Sequence, residues 1–235
     1  RAARVSHDGV AVHGAQIVAA IVAAAFVESD IDRLIDSALA QIPADSLLQE
    51  MIGHIREWHA NYDDWQDARA EIELLYGYSA YGGGCHMIPN HALIILALLY
   101  SDGDFDQALS IVNTAGWDTD CNSGNVGCIM GVRGGLKAID ERWTTPVADR
   151  LYLPTADGGR AITDALQESI RVVNMARGLR QMEPYIPARG ARYHFTLPGS
   201  MQGFMLSGSI DHPQYGLSNT NGRLAMNANL RARET

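Results

Sequence analysis

The pattern of apolar and polar residues predicts helices over the first two-thirds of the chain. Residues 10–27 carry no formally charged side chain and are apolar on nearly all sides, which is typical of a helix buried at the centre of a domain. His13, Gly14 and Gln16 interrupt this apolar run, so a signal peptide or a membrane span is the less favoured interpretation. Further helices are predicted over residues 30–40, 46–62, 64–76, 90–100, 105–115, 123–133 and 163–179.

Several glycines lie in the middle of this helical region, between and inside the predicted helices. Gly116 stands where a left-handed residue commonly ends a helix. Gly124, Gly127 and Gly131 fall at helical spacing inside the helix predicted over residues 123–133, where each costs about 1 kcal/mol against alanine. Because each of these glycines destabilises the helix, a strip of three predicts that another backbone packs closely against it.

The residue composition and the pattern of apolar residues change towards the C-terminus. Residues 147–154 are interpreted as a connector, and residues 181–191, with their prolines and glycine, as a linker. From Arg192 onward, short alternating stretches (YHFTL, FMLSG) lie among Gly, Ser and Asn residues, which is typical of β-strands. We therefore predict a helical domain over residues 1–180, the linker, and the start of a β-rich domain over residues 192–235 that is cut off.

The composition narrows the class of protein. Of 235 residues, 47% are hydrophobic and 19% charged, as in soluble globular proteins. A formal net charge of −9 argues against nucleic acid or an anionic membrane as the partner. An anionic small molecule stays possible, because a bound metal inverts the local field. The three cysteines form no CxxC pair and fit reduced thiols, so we expect a cytoplasmic location.

Two aspartates, Asp118 and Asp120, lie one residue apart in a short turn before a predicted helix. Two carboxylates this close repel each other, which destabilises the folded protein unless positive charge lies between them. The helix N-terminus supplies roughly half a charge, and a divalent cation bound through oxygen supplies more. The simpler alternative is that one aspartate caps the helix while the other faces water.

The residues around Asp118 and Asp120 match two known motifs with closely spaced aspartates poorly and leave a third open. An EF-hand loop starting at Asp118 would need Gly at its sixth position and Glu at its twelfth, where this chain has Ser123 and Ile129. A phosphatase-type DxD would follow a hydrophobic strand, whereas the residues before Asp118 are Asn, Thr, Ala, Gly and Trp. A glycosyltransferase DxD is too short a pattern to exclude.

The stretch that contains both aspartates, GWDTDCNSGNVGCIMG, resembles the C-terminal signature of the ADP-ribosylglycohydrolase family, Gly-Gly-Asp-Thr-Asp-Thr/Cys-Asn followed by a Gly/Ala helix. Ser6-His7, followed by GAQIVAAIVAAA, is similar to a second family motif. PNHA at residues 89–92, followed by LIILALLY, and then the segment GDFDQAL, stand in the expected order. The resemblance covers about residues 4–154.

This resemblance implies an all-α fold and a binuclear magnesium site. The two Mg²⁺ ions would position an ADP-ribosyl group, free or linked to protein, while water cleaves the bond at its anomeric carbon. Asp118 and Asp120 would be metal ligands. Cys121 stands where the family often has Thr as a further oxygen ligand, and a thiol is a poor partner for a hard cation. The resemblance thus implies an altered or water-completed site, in which Asn122 either compensates or caps the helix.

Substrate-binding residues follow from the same resemblance. His7 matches a histidine near the bound substrate, and its ring N–H could donate to a phosphate; a capping or core histidine is the alternative. Gly83, Gly84 and His86 belong to a glycine-rich loop that could bring backbone N–H groups to a ligand or simply connect two helices. Trp117 would line the ligand pocket or fill core space.

Family members carry an N-terminal Gly-Asp-x-x-Gly stretch and a Thr-Asp-Asp-type ligand set that these residues lack. We therefore expect a fragment whose general base lies upstream of Arg1, and no catalysis from this chain alone. The leading interpretation is a magnesium-dependent hydrolase acting on a glycosidic bond of ADP-ribose or a related ribosyl compound. The alternatives are a non-catalytic binding or structural relative, and a sugar conjugate as substrate if the tail begins a carbohydrate-binding module.

Overall fold

The computed structural model describes residues 1–153, 161–206, 216–220 and 222–227. Its chain divides into two compact units, Arg1–Ile139 and Asp140–Thr235. This division lies inside the helical domain predicted over residues 1–180. The domain boundaries predicted at residues 180 and 191 stay predictions.

The first unit is helical. It begins with a 3₁₀ turn at Ala2–Val5 and ends with another at Leu136–Ala138. Between them run α1 (Gly9–Ala24), α2 (Ile31–Leu39), α3 (Leu47–Asn61), α4 (Trp65–Tyr76), α5 (Met87–Leu99), α6 (Phe105–Thr114) and α7 (Thr119–Gly134).

The core of this unit is built around α5. Every residue of α5 after Met87 is buried, and the helix packs against all six other helices of the unit. A helix surrounded on all sides needs apolar residues on all sides, which explains the run from Leu93 to Leu99. His91 is buried in the same helix, and this burial lowers its pKa to about 4.

The central position predicted for residues 10–27 is therefore wrong. That segment forms α1, of which Val12, Gly14, Ile17 and Ile21 are buried. Its outer face carries Ala15, Ala19 and Ala23, which are exposed. Alanine is small enough to face water at little cost, so an alanine-rich helix looks apolar all round without being central. Among the described residues, no helix is both long and apolar enough to cross a membrane.

In its described residues, the second unit has one short helix, one longer helix and two small antiparallel hairpins. In the first hairpin Leu151 pairs with Thr163, and in the second Ser218 pairs with Ala225. Its elements are α8 (Glu141–Thr144), β1 (Arg150–Tyr152), β2 (Ile162–Asp164), α9 (Ala165–Leu179), a 3₁₀ turn at Pro187–Gly190, β3 (Gly216–Thr220) and β4 (Arg223–Asn227).

The all-α class with a short β-type tail is confirmed, but the strands lie elsewhere than predicted. YHFTL at residues 193–197 is irregular, and so is FML at residues 204–206. The described strands of the tail are instead β3 and β4. The rest of FMLSG, the end of the predicted connector at residue 154, and residues 207–215, 221 and 228–235 of the predicted β-rich domain lie outside the described residues.

The glycine strip of α7 does not bring a backbone close. A Cβ added at Gly127 would meet the Leu109 side chain at 3.7 Å, and one at Gly131 would meet the Ile139 side chain at 3.7 Å. Both are ordinary van der Waals distances, and around Gly124 the space is open. The predicted backbone contact is therefore wrong, because side chains of α6 and of the segment after α7 fill that surface.

Candidate metal centre

The turn before α7 has an unusual backbone. Gly116 has φ +91° and Trp117 has φ +60°, so two consecutive residues lie in the left-handed region. Glycine adopts this conformation freely, whereas a tryptophan there is uncommon and must be held by its surroundings. Gly116 thus ends α6 as predicted, and the chain reverses before Asp118.

Trp117 is held by its neighbours. The Arg69 guanidinium lies 3.9 Å from the centroid of the indole ring, and the Tyr78 ring lies 5.2 Å from it, centroid to centroid. Arg69 also donates from Nε to the backbone oxygen of Ala115 at 2.9 Å, which fixes it beside the turn. These contacts support the core-filling interpretation of Trp117, although the indole stays half-buried.

Asp118, Asp120 and Cys121 come together at the start of α7. One ligand atom from each side chain lies within 4.8 Å of the others. Over the described residues, this is the group of His, Cys, Asp and Glu side chains whose spacing suits one metal ion. The predicted helix start at residue 123 is wrong: α7 begins at Thr119, so Asp120 and Cys121 lie in its first turn. Acidic residues are favoured there because the N-terminus is partially positive.

Asp118 occupies the N-cap position of α7, yet its side chain accepts no capping hydrogen bond. Among the described helices, aspartate or serine caps six others and accepts from a first-turn N–H in each: Asp30, Ser46, Asp64, Asp104, Asp140 and Asp164. Asp8, before α1, makes no side-chain cap either. The simple interpretation, in which Asp118 caps the helix, is therefore not what the structure has. Its carboxylate is left for other partners.

The pKa of the Asp120 carboxyl group and the pKa values of the two nearby thiols are shifted in opposite directions. The hydrogen bond to Asp118 lowers the pKa of Asp120, and the backbone N–H groups of Cys121 and Asp120 add to this. The hydrogen bond with Asp118, followed by its charge, raises the pKa of the Cys121 thiol. The charge of Asp118 likewise raises the pKa of Cys85. These shifts favour the ionised form of the Asp120 carboxyl group and the protonated form of the two thiols.

These donors fit a magnesium ion only in part. Asp118 and Asp120 offer the charged oxygen ligands that hard divalent cations prefer. Cys121 fits poorly, because sulfur is a soft ligand and a hard cation prefers oxygen. Of the described residues, Asp118 and Asp120 are thus the ones that would hold Mg²⁺.

Asn90 was missed as a site residue by sequence reasoning. Its Oδ1 accepts from the backbone N–H of Asp118 at 3.1 Å and from Nδ2 of Asn122 at 2.9 Å. Its Nδ2 donates to the Tyr78 hydroxyl and to the His86 backbone oxygen, both at 2.8 Å. The available signal was an amide at the start of a long apolar run. Asn122 lies inside α7 and is 1% exposed, so its predicted capping role is wrong.

The glycine-rich loop lies beside the aspartates. Its Cys85 is close enough to Asp118 for the Asp118 charge to act on the thiol. Gly83 and Gly84 are exposed, and a Cβ at either position would meet no atom within 4 Å. His86 caps α5, with its Nδ1 accepting from the backbone N–H of Ile88 at 3.2 Å. The substrate-binding roles of Gly83, Gly84 and His86 stay predictions.

His7 lies just before α1 and is exposed. Its Nδ1 shares a hydrogen bond with the Ser6 hydroxyl at 2.7 Å. Over the described residues the structure records no hydrogen bond between His7 and the aspartates. Its role in substrate binding therefore stays a prediction.

Comparison with known proteins adds one finding. The family model of ADP-ribosylglycohydrolase matches residues 1–179, which includes the metal centre and ends with the last residue of α9. No curated protein and no solved structure matches the chain. The match covers 179 of 235 residues, and it confirms the resemblance found in the sequence. The chain belongs to the ADP-ribosylglycohydrolase family.

Proposed function

We propose that the protein is a magnesium-dependent hydrolase that cleaves an N- or O-glycosidic bond of ADP-ribose or a related ribosyl compound. Family membership suggests glycosidic hydrolysis as the class of activity. The observation that carries the metal dependence is the grouping of Asp118 and Asp120 at the start of α7, with an Asp118 side chain that is not used as a cap.

The proposed role of this chain is to hold the metal and orient the substrate. Asp118 and Asp120 would bind the first of two expected ions. A bound Mg²⁺ supplies an electrophile and a template for ribose hydroxyls. His7, the glycine loop at Gly83 and Gly84, His86 and Trp117 are proposed to contact the substrate. The general base is not assigned to any described residue.

Three further expectations belong to this proposal. The substrate is an ADP-ribosyl group, either free as a small molecule or attached to a protein. Nucleic acid and membrane are not expected as partners, since the formal net charge is −9. The protein is expected in the cytoplasm.

The proposal is tested with the full-length protein and its Asp118→Asn and Asp120→Asn variants. Release of ADP-ribose from an ADP-ribosylated substrate is measured with Mg²⁺ and after chelation with EDTA. Each variant should lose more than about 100-fold in activity, since a metal ligand is worth at least as much as the groups that orient it. Asp45→Asn, which changes an exposed aspartate outside the site, should retain activity. Full activity in both site variants would contradict the proposal.

The second candidate is a non-catalytic relative that binds the same ligand. One observation favours it: Cys121 places a soft sulfur atom, rather than a hydroxyl oxygen, within the metal cluster. Calorimetry of the full-length protein with Mg²⁺ and ADP-ribose separates the two candidates. Binding without release of product from any ADP-ribosylated substrate would favour the non-catalytic relative.

A further inference from the structure

We propose that Asn90 is a positioning residue of the metal centre, because it fixes the backbone that carries Asp118 and ties it to the glycine-rich loop. The inference rests on the proposed function, since it gives Asn90 a role at that same site. Asn90 lies on α5, whereas Asp118 lies 28 residues later in the chain.

The hydrogen bonding of Asn90 is complete. A carboxamide has two N–H donors and one oxygen that accepts two hydrogen bonds. Both donors are used, by the Tyr78 hydroxyl and the His86 backbone oxygen. The oxygen accepts from Asp118 and Asn122. Asn90 is 6% exposed, so water cannot replace these partners without opening the core.

The partners of Asn90 belong to three separate segments. Tyr78 and His86 flank the glycine-rich loop, Asp118 ends the turn after α6, and Asn122 lies in α7. One side chain therefore fixes the distance between the loop that carries Cys85 and the turn that carries Asp118. An apolar residue in α5 could pack there but could not make this connection.

Asn90 holds the Asp118 backbone without using the Asp118 carboxylate. The first N–H groups of a helix have no partner within it. Asn90 accepts from the Asp118 N–H, whereas the backbone N–H groups of Asp120 and Cys121 interact with the Asp120 carboxyl group. The Asp118 side chain accepts no capping hydrogen bond and lies beside Asp120 and Cys121.

A second path runs through Tyr78. Its hydroxyl accepts from Asn90, and its ring packs against Trp117 at a centroid distance of 5.2 Å. Trp117 is the left-handed residue next to Asp118. Asn90 thus acts on the turn directly through the Asp118 N–H and indirectly through the Tyr78–Trp117 contact.

The test compares Asn90→Ala with Leu93→Ala in the full-length protein. Leu93 is fully buried one turn further along α5. Its side chain has no polar atom, so Leu93→Ala controls for stability lost without a change in hydrogen bonding at the site. Titration calorimetry gives the Mg²⁺ dissociation constant, and thermal unfolding gives the midpoint. Asn90→Ala should raise the dissociation constant about tenfold or more, as loss of a supporting group does. Leu93→Ala should lower the midpoint and leave the dissociation constant unchanged.

A second measurement does not depend on metal. Hydrogen exchange of the Asp118 backbone N–H, followed by NMR in metal-free protein, should be about tenfold faster in Asn90→Ala, relative to an amide further along α7 such as Val126. If Asn90→Ala does not fold, Tyr78→Phe serves instead: it removes one partner of Asn90, keeps the ring, and should raise the dissociation constant by a smaller factor.

The outcomes separate the two proposals. A wild-type protein that binds no Mg²⁺ overturns the proposed function and the metal role of Asn90 with it. If the wild type binds Mg²⁺ and Asn90→Ala leaves the dissociation constant unchanged, the role of Asn90 alone is overturned. The same holds for an unchanged dissociation constant in Tyr78→Phe where that variant is used instead. Unchanged exchange of the Asp118 N–H in Asn90→Ala overturns it with or without metal.

Discussion

Asp118 differs from most of the other aspartates that begin the described helices; Asp8, before α1, is likewise not used as a cap. Asp30, Asp104 and Asp164 each accept a backbone N–H of the helix that they precede, whereas the Asp118 side chain turns to Asp120 and the two thiols nearby. Two carboxyl groups at this distance repel each other when both are ionised. A divalent cation would remove the repulsion, and this is the residue-level argument for a metal.

Cys121 gives the sharpest residue-level prediction. Replacing its soft sulfur by a hydroxyl oxygen in Cys121→Thr should lower the Mg²⁺ dissociation constant, because hard cations prefer oxygen. The matched control is Cys128→Thr, the same substitution on the same helix at another exposed position, outside the metal cluster. Titration calorimetry of the full-length protein measures both. Equal affinity in Cys121→Thr and wild type would mean that the side chain at position 121 does not reach the ion.

The sequence predicted some of these residues and missed others for a clear reason. Asp118, Asp120 and Cys121 are neighbours in sequence, so their spacing already indicates that their side chains can meet. Asn90 contacts Asp118 and Asn122 across 28 and 32 positions, and no local pattern reports such a contact. The folded chain was needed to find it.

At the scale of elements, the start of α7 is the feature that matters most. A helix that begins at Thr119 places Asp120 and Cys121 in its first turn, where the side chains point back towards its N-terminus and towards Asp118. The sequence placed this start four residues later, because Asp118, Asp120 and Asn122 are residue types that favour turns and cap positions over a helix interior. The other predicted helices of the first unit were found with small shifts at their ends.

Helix capping provides a prediction at this scale. Asp104→Ala should lower the free energy of unfolding by about 1 kcal/mol, since it removes the side-chain cap of α6. Asp118→Ala should cost clearly less in metal-free protein, because it removes no cap. Urea denaturation of both variants measures the difference. An equal loss in the two variants would show that Asp118 is an ordinary cap.

The strands show where sequence texture misleads. Alternating stretches such as YHFTL look like strands, yet residues 193–197 are irregular, and β3 and β4 form in GLSNT and RLAMN. Short strands gain their stability from pairing, and pairing is decided by a partner and a turn rather than by alternation alone. The position of a two-stranded hairpin is therefore poorly specified by one strand's residues.

At the scale of the molecule, the family match and the metal cluster fall in the same part of the chain. The match covers residues 1–179, and the cluster lies at residues 118–121 of the first unit. The helical class was predictable because long apolar and amphipathic runs dominate these residues. The central helix was not, because α1 and α5 look alike in hydrophobicity and only packing shows which one is enclosed. The formal net charge of −9 favours the attraction of cations to the protein as a whole.

The central claim is that Asp118 and Asp120 together bind a divalent cation. Crystals of the full-length protein grown with Mn²⁺, which replaces Mg²⁺ at oxygen ligands and scatters anomalously, test it most directly. The account predicts an anomalous peak within about 2.5 Å of a carboxylate oxygen from each aspartate. Both carboxylates directed into solvent, with every Mn²⁺ peak elsewhere, would contradict it.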